Sequence, residues 1–328
     1  MPSPQTRRFS AALATLALLA GGCKDSTHEV QASEDAVPAP QTVPAQFRIF
    51  DTTLYRNKPA AVGMSREMQI IYPNFMARDF EGKLRGLYPG TKDPDLKLLL
   101  DQAAGQGATH ILFDVESAYG TDPSVEASMQ RLVKTARAYK PQLQYGCCYL
   151  PATYPAGSAH QGTVAQVQAS NNSLASTIQL MDFLVPEAYL HDDPGKGRQG
   201  HAAWLKYLNL GIAEAKRLAP GKPVFPLLEV CIADYGWAGP MTAKGPLPPD
   251  LLADQVRAAL IASGGNVIIW GATRTGENGQ FADWDPNESW YTTLLKARLL
   301  KLGPSAQEEL DHGSPEMAVQ KNARFPGK

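Results

Sequence analysis

The sequence predicts an α/β protein folded as a single (β/α) TIM-like barrel with seven or eight parallel strands. Short apolar runs alternate with helical patterns along the chain, and this alternation is typical of βα units and a parallel sheet. Six or seven such units in roughly 255 residues suit a closed barrel better than an open sheet. A doubly wound sheet should also show a glycine-rich phosphate turn after its first strand, and the sequence has none.

Each predicted strand is a short apolar run bounded by polar or turn-forming residues. The predicted strands are Met68–Tyr72, His110–Val115, Gln142–Tyr149, Phe183–Tyr189, Val224–Val230 and Asn266–Trp270. One more strand is expected earlier, in Gln46–Leu54 or Ala60–Gly63. The predicted helices are Asp93–Gly105, Pro123–Tyr139, Ser173–Met181, His201–Leu218, Pro248–Ser263 and a last stretch over Trp290–Leu302.

The first 22 residues are predicted to be an export signal. Arg7 and Arg8 precede the apolar stretch Phe9–Ala20, which is too short for a permanent membrane span. Small residues then run directly into Cys23, which resembles a bacterial lipobox and implies cleavage before Cys23 and lipidation of its thiol. The expected location is the bacterial cell envelope, anchored to the membrane at the periplasmic face or the cell surface. An ordinary secretory signal, and so a secreted protein, is the alternative.

Composition divides the remaining chain into three parts. Residues 23–46 are rich in Ser, Pro, Ala and acidic residues without apolar periodicity, which predicts a flexible linker. Residues 47–303 form the predicted catalytic barrel, without an internal linker. Gly303 and Pro304 break the last helical pattern, so residues 304–328 are predicted to be a loosely ordered tail.

Charge and cysteine content exclude several classes of partner. A net charge of −1 without a basic cluster argues against nucleic acid, and we expect a monomer. The six histidines show no ligand spacing, so neither a metal nor another cofactor is predicted. Besides Cys23 there are Cys147, Cys148 and Cys231. One of the first two could bridge to Cys231, or all three could be buried thiols.

The run from His110 to Ser117 carries the strongest sign of chemistry. Strand side chains alternate, so Leu112, Asp114 and Glu116 share one face. Two neighbouring acids on a buried strand push one carboxyl towards its protonated form while the other remains charged, which suits acid catalysis. An exposed strand end or a helix cap is the plain alternative for such a pair. The position at the carboxyl end of a barrel strand favours an active site.

Other predicted strands end in acids and aromatic residues. Aromatic faces pack on sugar rings and carboxyl groups cleave glycosidic bonds, so their convergence predicts a carbohydrate site and a polysaccharide partner. The predicted substrate-binding residues are Tyr149, Glu187, Tyr189, Glu229 and Trp270.

Several motifs in order resemble the hyaluronidase family of glycoside hydrolases, which has a distorted barrel of parallel strands and a chitinase-like D-x-E motif. The likeness extends over about Met68 to Arg274. It is found at 86–90 (GLYPG), 93–98 (DPDLKL), 111–117 (ILFDVES), 145–151 (YGCCYLP), 211–218 (GIAEAKRL), 223–226 (PVFP) and 266–271 (NVIIWG).

The resemblance implies roles for individual residues. Glu116 would be the general acid and then the base, and Asp114 would orient the N-acetyl group of the substrate, whose own oxygen is the nucleophile. Tyr189 and Trp270 would line the sugar subsite, with Tyr149 as a neighbour. The resemblance therefore implies a retaining hydrolase of a polysaccharide that contains N-acetylhexosamine.

Three positions depart from the family pattern. Val115 stands where the family has a tryptophan, and Cys148 and Leu227 stand where it has tyrosines. Two alternatives accordingly stay open. One is a two-carboxylate retaining glycosidase that pairs Glu116 with Glu187 or Glu229. The other is a lipid-anchored glycan-binding barrel without catalysis.

Overall fold

The fold alternates strands and helices along the chain. The computed structural model describes residues 42–58, 63–71, 93–114, 123–152, 163–190, 198–231, 246–271 and 283–300. Their strands are β1 (Arg48–Thr53), β2 (Met68–Ile71), β3 (His110–Phe113), β4 (Gln144–Cys147), β5 (Leu227–Glu229) and β6 (Asn266–Gly271). Their helices are α1 (Asp93–Gly105), α2 (Pro123–Tyr139), α3 (Val164–Ser173), α4 (Ala175–Leu180), α5 (Arg198–Leu218), α6 (Pro249–Ser263) and α7 (Ser289–Lys296).

The strands form two three-stranded parallel sheets. One sheet has the order β1-β6-β5 and the other β2-β3-β4. In the first, Phe50 lies opposite Ile268; in the second, Leu112 lies opposite Gly146. The predicted α/β class with parallel strands is therefore confirmed, and the early strand is the one predicted in Gln46–Leu54.

Isolated bridges connect the two sheets on both sides. Phe50 bridges to Ser65, just before β2. On the other side, Val185 bridges to Cys148 after β4, and Glu187 bridges to Leu227 in β5. The predicted strand Phe183–Tyr189 thus contributes single bridges and no continuous ladder. Pro186 explains this, because its nitrogen has no hydrogen to donate to a neighbouring strand.

Both faces of the sheets are buried, and each has its own apolar cluster. An outer cluster packs the strands against the helices and includes Ile111 and Phe113. An inner cluster includes Leu112, Phe225 and Ile268. Since neighbouring residues of β3 belong to different clusters, the predicted alternation along this strand is confirmed as far as Phe113. Burial on both faces accounts for the nearly continuous apolar strands.

Local signals set most helix ends. α6 begins at Pro249 and is closed by Gly264 in the left-handed region, at φ 81°. α1 and α2 have the predicted bounds. The predicted helix Ser173–Met181 is observed as α4, but α3 before it was not predicted, because its polar sequence has little apolar periodicity. The reciprocal side-chain bonds of Thr163 and Gln166 at its start are a capping box, which the sequence could have indicated.

Several predicted features lie outside the described residues. They include the signal peptide, Cys23, most of the linker and the tail, all of which stay predictions. Within the described ranges, no helix combines the length and apolar character that crossing a bilayer requires. Cys147, Cys148 and Cys231 are buried and are not joined in a disulfide, so the predicted alternative of buried thiols is the one observed.

Candidate active site at the carboxyl edge of the strands

Asp114 follows directly after β3 and is held by the sheet. Its backbone N–H donates to the Ile71 carbonyl at 2.9 Å, and the Cys148 N–H donates to the Phe113 carbonyl at 2.9 Å. Its side chain is buried, with 5% exposure for the residue. By strand alternation it continues the face of Leu112, which belongs to the inner cluster. Burial raises the pKa of the nearby Cys147 thiol, and the negative charge of Asp114 raises it further.

Glu116, the predicted general acid, lies outside the described residues, as does Val115. The role of Glu116 therefore stays a prediction.

Glu229 is the last residue of β5 and is deeply buried, with 6% exposure. It lies in register with Trp270 on the neighbouring strand. Burial raises the pKa of the Glu229 carboxyl to about 8, and the negative charge of Glu187 adds to the rise. The Glu229 carboxyl therefore carries a proton over much of the neutral range.

Gly271 makes room for the Glu229 side chain. A Cβ at this position would lie 3.1 Å from Cγ of Glu229, and the backbone φ of 93° disfavours any residue with a side chain. Gly271 was not among the predicted site residues. Its place at the end of an apolar run was the available signal, since a glycine in a strand often marks a close approach.

Glu187 lies on the segment next to β5. It bridges to Leu227, and the following Ala188 N–H donates to the Leu227 carbonyl at 2.9 Å. Glu187 is partly exposed, whereas Glu229 is buried. Neighbouring parallel segments thus bring the two predicted glutamates into electrostatic contact.

Three predicted aromatic residues form one group. Tyr189 stacks on Trp270 with ring centroids 5.9 Å apart and planes 19° apart. Tyr149 meets Tyr189 edge to face at 6.3 Å. Tyr149 adopts a positive φ of 61°, which is uncommon for a bulky residue and directs this turn away from the β4 strand. The group lies on three separate strand ends and is therefore a product of tertiary structure.

Two buried side chains fix the loops behind this aromatic group, and sequence reasoning missed both. Asn171 of α3 accepts from the Ala152 N–H at 2.8 Å and donates to the Ala152 carbonyl at 2.9 Å. Trp204 of α5 donates from Nε1 to the Ala188 carbonyl at 2.6 Å. Asn171 lies on a polar helix and Trp204 on an amphipathic one, so the sequence contained no signal that separates either from ordinary helix residues.

The described part of the chain holds no group of three or more His, Cys, Asp or Glu residues placed to bind a metal ion. What it does hold at the carboxyl edge is a buried aspartate, a glutamate pair and a stacked aromatic group. Such a set can exchange protons and contact sugar rings.

No protein-family model matches this sequence, and no curated protein matches it. Among solved structures, the fold is similar to bee venom hyaluronidase, with 14% identity over 84% of this chain and 100% of that chain, at a TM-score of 0.48. The same enzyme in complex with a hyaluronic acid tetramer gives 15% identity, 85% and 100% coverage and a TM-score of 0.48. An endo-1,4-β-D-mannanase from Thermotoga petrophila gives 13% identity, 78% and 100% coverage and a TM-score of 0.42. Each likeness is too slight to carry a functional assignment.

Proposed function

We propose that this protein is a glycoside hydrolase that cleaves a polysaccharide containing N-acetylhexosamine, with retention of configuration and assistance from the substrate. The observation that carries the proposal is the buried Asp114 at the carboxyl end of β3, one strand away from Tyr149. Carboxyl ends of parallel strands are where βα folds build their active sites. The stacked Tyr189 and Trp270 supply apolar faces of the kind that sugar rings contact.

The proposed reaction divides the work between two acids and the substrate. Glu116 donates its proton to the glycosidic oxygen as the bond to C1 breaks. The acetamido carbonyl oxygen of the substrate attacks C1 and forms a cyclic oxazolinium ion, while Asp114 holds the acetamido N–H and stabilises its growing positive charge. Water then attacks C1, Glu116 takes the water proton, and the acetamido group is released unchanged.

The architecture and location of the enzyme belong to the same proposal. We infer that the two sheets and the segment from Phe183 to Tyr189 are parts of one closed barrel, because bridges link the sheets on both sides. We also infer a monomer, anchored in the cell envelope through a lipid on Cys23. Replacing Cys23 by serine should release the protein from the membrane fraction.

The test is reducing-end release from hyaluronan, chondroitin, chitin oligomers and peptidoglycan glycans. Glu116→Gln should lower turnover by at least about a thousandfold, because the general acid is lost. Glu67→Gln is a matched control, since Glu67 is exposed and pairs with Arg48 away from the carboxyl edge. A fully active Glu116→Gln variant would overturn the proposal.

Substrate assistance has a test of its own. An enzyme that uses the acetamido oxygen requires acetamido sugars and should be inhibited by thiazoline analogues of the cyclic intermediate. A two-carboxylate enzyme that pairs Glu116 with Glu187 or Glu229 would cleave sugars without that group and resist the analogue.

Glycan binding without turnover is the second candidate. It is favoured by Cys148 and Leu227, which are buried in the inner cluster at positions where the resembled family has tyrosines. A binding protein would show saturable glycan affinity, no release of reducing ends, and the same affinity after Glu116→Gln.

A further inference from the structure

Glu187 and Glu229 form a carboxyl pair on neighbouring parallel segments. Glu187 bridges to Leu227, which lies two residues before Glu229 and on the same face of β5. The two carboxyls lie close enough for the charge of Glu187 to act on Glu229. A single proton on the pair relieves the repulsion between them.

Among the described residues, the charge that acts on Glu229 is the negative charge of Glu187. In the residues that the structure describes, its carboxyl takes part in no ion pair and no hydrogen bond. The other ionisable groups nearby are Cys231, whose thiol pKa is raised to about 12 by burial and by the charges of Glu229 and Glu288, and Tyr189, which stacks on Trp270. None of these groups stabilises an ionised Glu229.

A purely structural role does not account for this side chain. Burial of a carboxyl group disfavours folding unless hydrogen bonds or opposite charges compensate for the lost hydration. Gly271 nevertheless leaves the space that Glu229 occupies, and a methyl group there would press on its Cγ. Gly271 therefore leaves room beside Trp270 for a carboxyl group that can form a hydrogen bond with a ligand.

We propose that Glu229 is a substrate-binding residue whose carboxyl, placed beside Glu187 and Trp270, donates a hydrogen bond to an acceptor oxygen of the glycan. Acetamido carbonyls and sugar hydroxyls are acceptors of this kind, and the sugar ring would lie against the aromatic group of Tyr189 and Trp270. The inference rests on the proposed function in that the ligand is a glycan. It makes Glu229 a donor for binding, separate from the acid and base role of Glu116.

The proton itself can be observed without a ligand. Carboxyl-carbon NMR of the protein labelled with 13C-glutamate should show one resonance that titrates near pH 8. This resonance should be absent in Glu229→Gln and should titrate at lower pH in Glu187→Gln, because the repelling charge is gone. If every glutamate carboxyl titrates in the ordinary acidic range, the proposal is wrong.

The hydrogen bond is tested by calorimetric binding of a chitin tetramer to the Glu116→Gln protein, in which turnover is removed. Glu229→Gln keeps a donor and should bind at pH 6 within about threefold of its parent, whereas the apolar Glu229→Met should bind about tenfold more weakly. Between pH 6 and 9 the parent should lose about tenfold in affinity, and Glu229→Gln should lose none. Parental affinity in Glu229→Met, a flat pH profile of the parent, or no binding of the tetramer would each overturn the assignment.

Failure of this inference differs from failure of the proposed function. If binding depends on Glu229 but no reducing ends are released, the proposed hydrolase activity is wrong and the role of Glu229 as a hydrogen-bond donor stands. If reducing ends are released but binding does not change with the residue at position 229, the donor role is wrong and the proposed hydrolase activity stands. Glu67→Gln should change neither measurement.

Discussion

The two ends of the inner face differ, although the same strands build both. At the amino end, the rings of Phe50, Phe183 and Phe225 surround His110 with centroid distances of 5.1, 5.5 and 5.8 Å. Phe183 also packs so closely on Gly146 that a Cβ there would lie 2.4 Å from its ring. The rings of this aromatic plug are buried and pack against one another, so we expect its residues to serve stability.

At the carboxyl end the same segments carry acids and partly polar aromatics. The β3 segment leads from His110 to Asp114 just after the strand, the β5 segment from Phe225 to Glu229, and the segment before α5 from Phe183 to Tyr189. Here burial and the charge of Glu187 raise the pKa of Glu229 to about 8, so ionising its carboxyl costs stability. In this βα fold the amino end of the strands therefore holds packed rings, whereas the carboxyl end holds the groups suited to chemistry.

Removing a ring from the plug should have the largest effect on stability. Phe183→Ala deletes a fully buried ring that stacks on Phe225 at 4.8 Å, so we expect a loss of about 3–5 kcal/mol in the free energy of unfolding. Urea denaturation measures the loss. Leu98→Ala, at a side chain on α1 with 57% exposure, should change stability by less than about 0.5 kcal/mol. Equal losses in the two variants would contradict the plug.

Removing the ionisable carboxyl of Glu229 should raise the free energy of unfolding at high pH, whereas Phe183→Ala should lower it. The pKa of Glu229 is raised from 4.5 to about 8, so the folded state binds its proton more tightly than the unfolded state does. The stability that this proton contributes is complete below pH 4.5 and is lost as the pH rises to about 8. Glu229→Gln should therefore stabilise the protein at pH 9 by on the order of 2–4 kcal/mol relative to its effect at pH 4. Thermal unfolding at both pH values checks this, and a difference that does not vary with pH would refute it.

A smaller loss of stability is expected from a change in α3, which supports the carboxyl edge through Asn171. Asn171→Ala removes both hydrogen bonds to Ala152, so it should cost about 1–3 kcal/mol and lower glycan affinity through displacement of the Tyr149 turn. The control is Asn172→Ala, whose exposed side chain accepts a hydrogen bond from Arg217. Calorimetry and urea denaturation of the two variants should separate them. Unchanged glycan affinity in Asn171→Ala would show that the turn does not need this support.

The smallest expected effect is a dependence of stability on pH that arises from His110 in the aromatic plug. Burial lowers the pKa of His110, and Arg48 lowers it further, against the opposing effects of Glu67 and Asp182. Below the unfolded pKa of about 6.5 the unfolded chain takes the proton first, so stability should fall as the pH drops from there towards the lower pKa of the folded state. His110→Leu should flatten this slope in urea titrations between pH 7 and 5. If the slope of stability against pH is unchanged in His110→Leu, other titrating groups cause it.

Local patterns in the sequence determined much of the fold. The bounds of α1 and α2 follow from their own apolar periodicity and polar flanks, and the position of Leu112 on the inner face follows from strand alternation. The site was accessible to the same reasoning where a residue directly ends a strand, as Asp114 and Glu229 do. These features depend on neighbours along the chain, so the sequence alone is sufficient for them.

Only the tertiary structure decided which strand ends meet. The predicted strand Phe183–Tyr189 forms single bridges and no continuous ladder, because Pro186 has no N–H to donate to a neighbouring strand. The tertiary structure also brought Glu187 to Glu229 and seated Asn171 of α3 against Ala152. These contacts join residues that are 19 to 42 positions apart, and they depend on which segments become neighbours in space. Sequence periodicity reports the face that a residue occupies, but it does not report the partner on the adjacent strand.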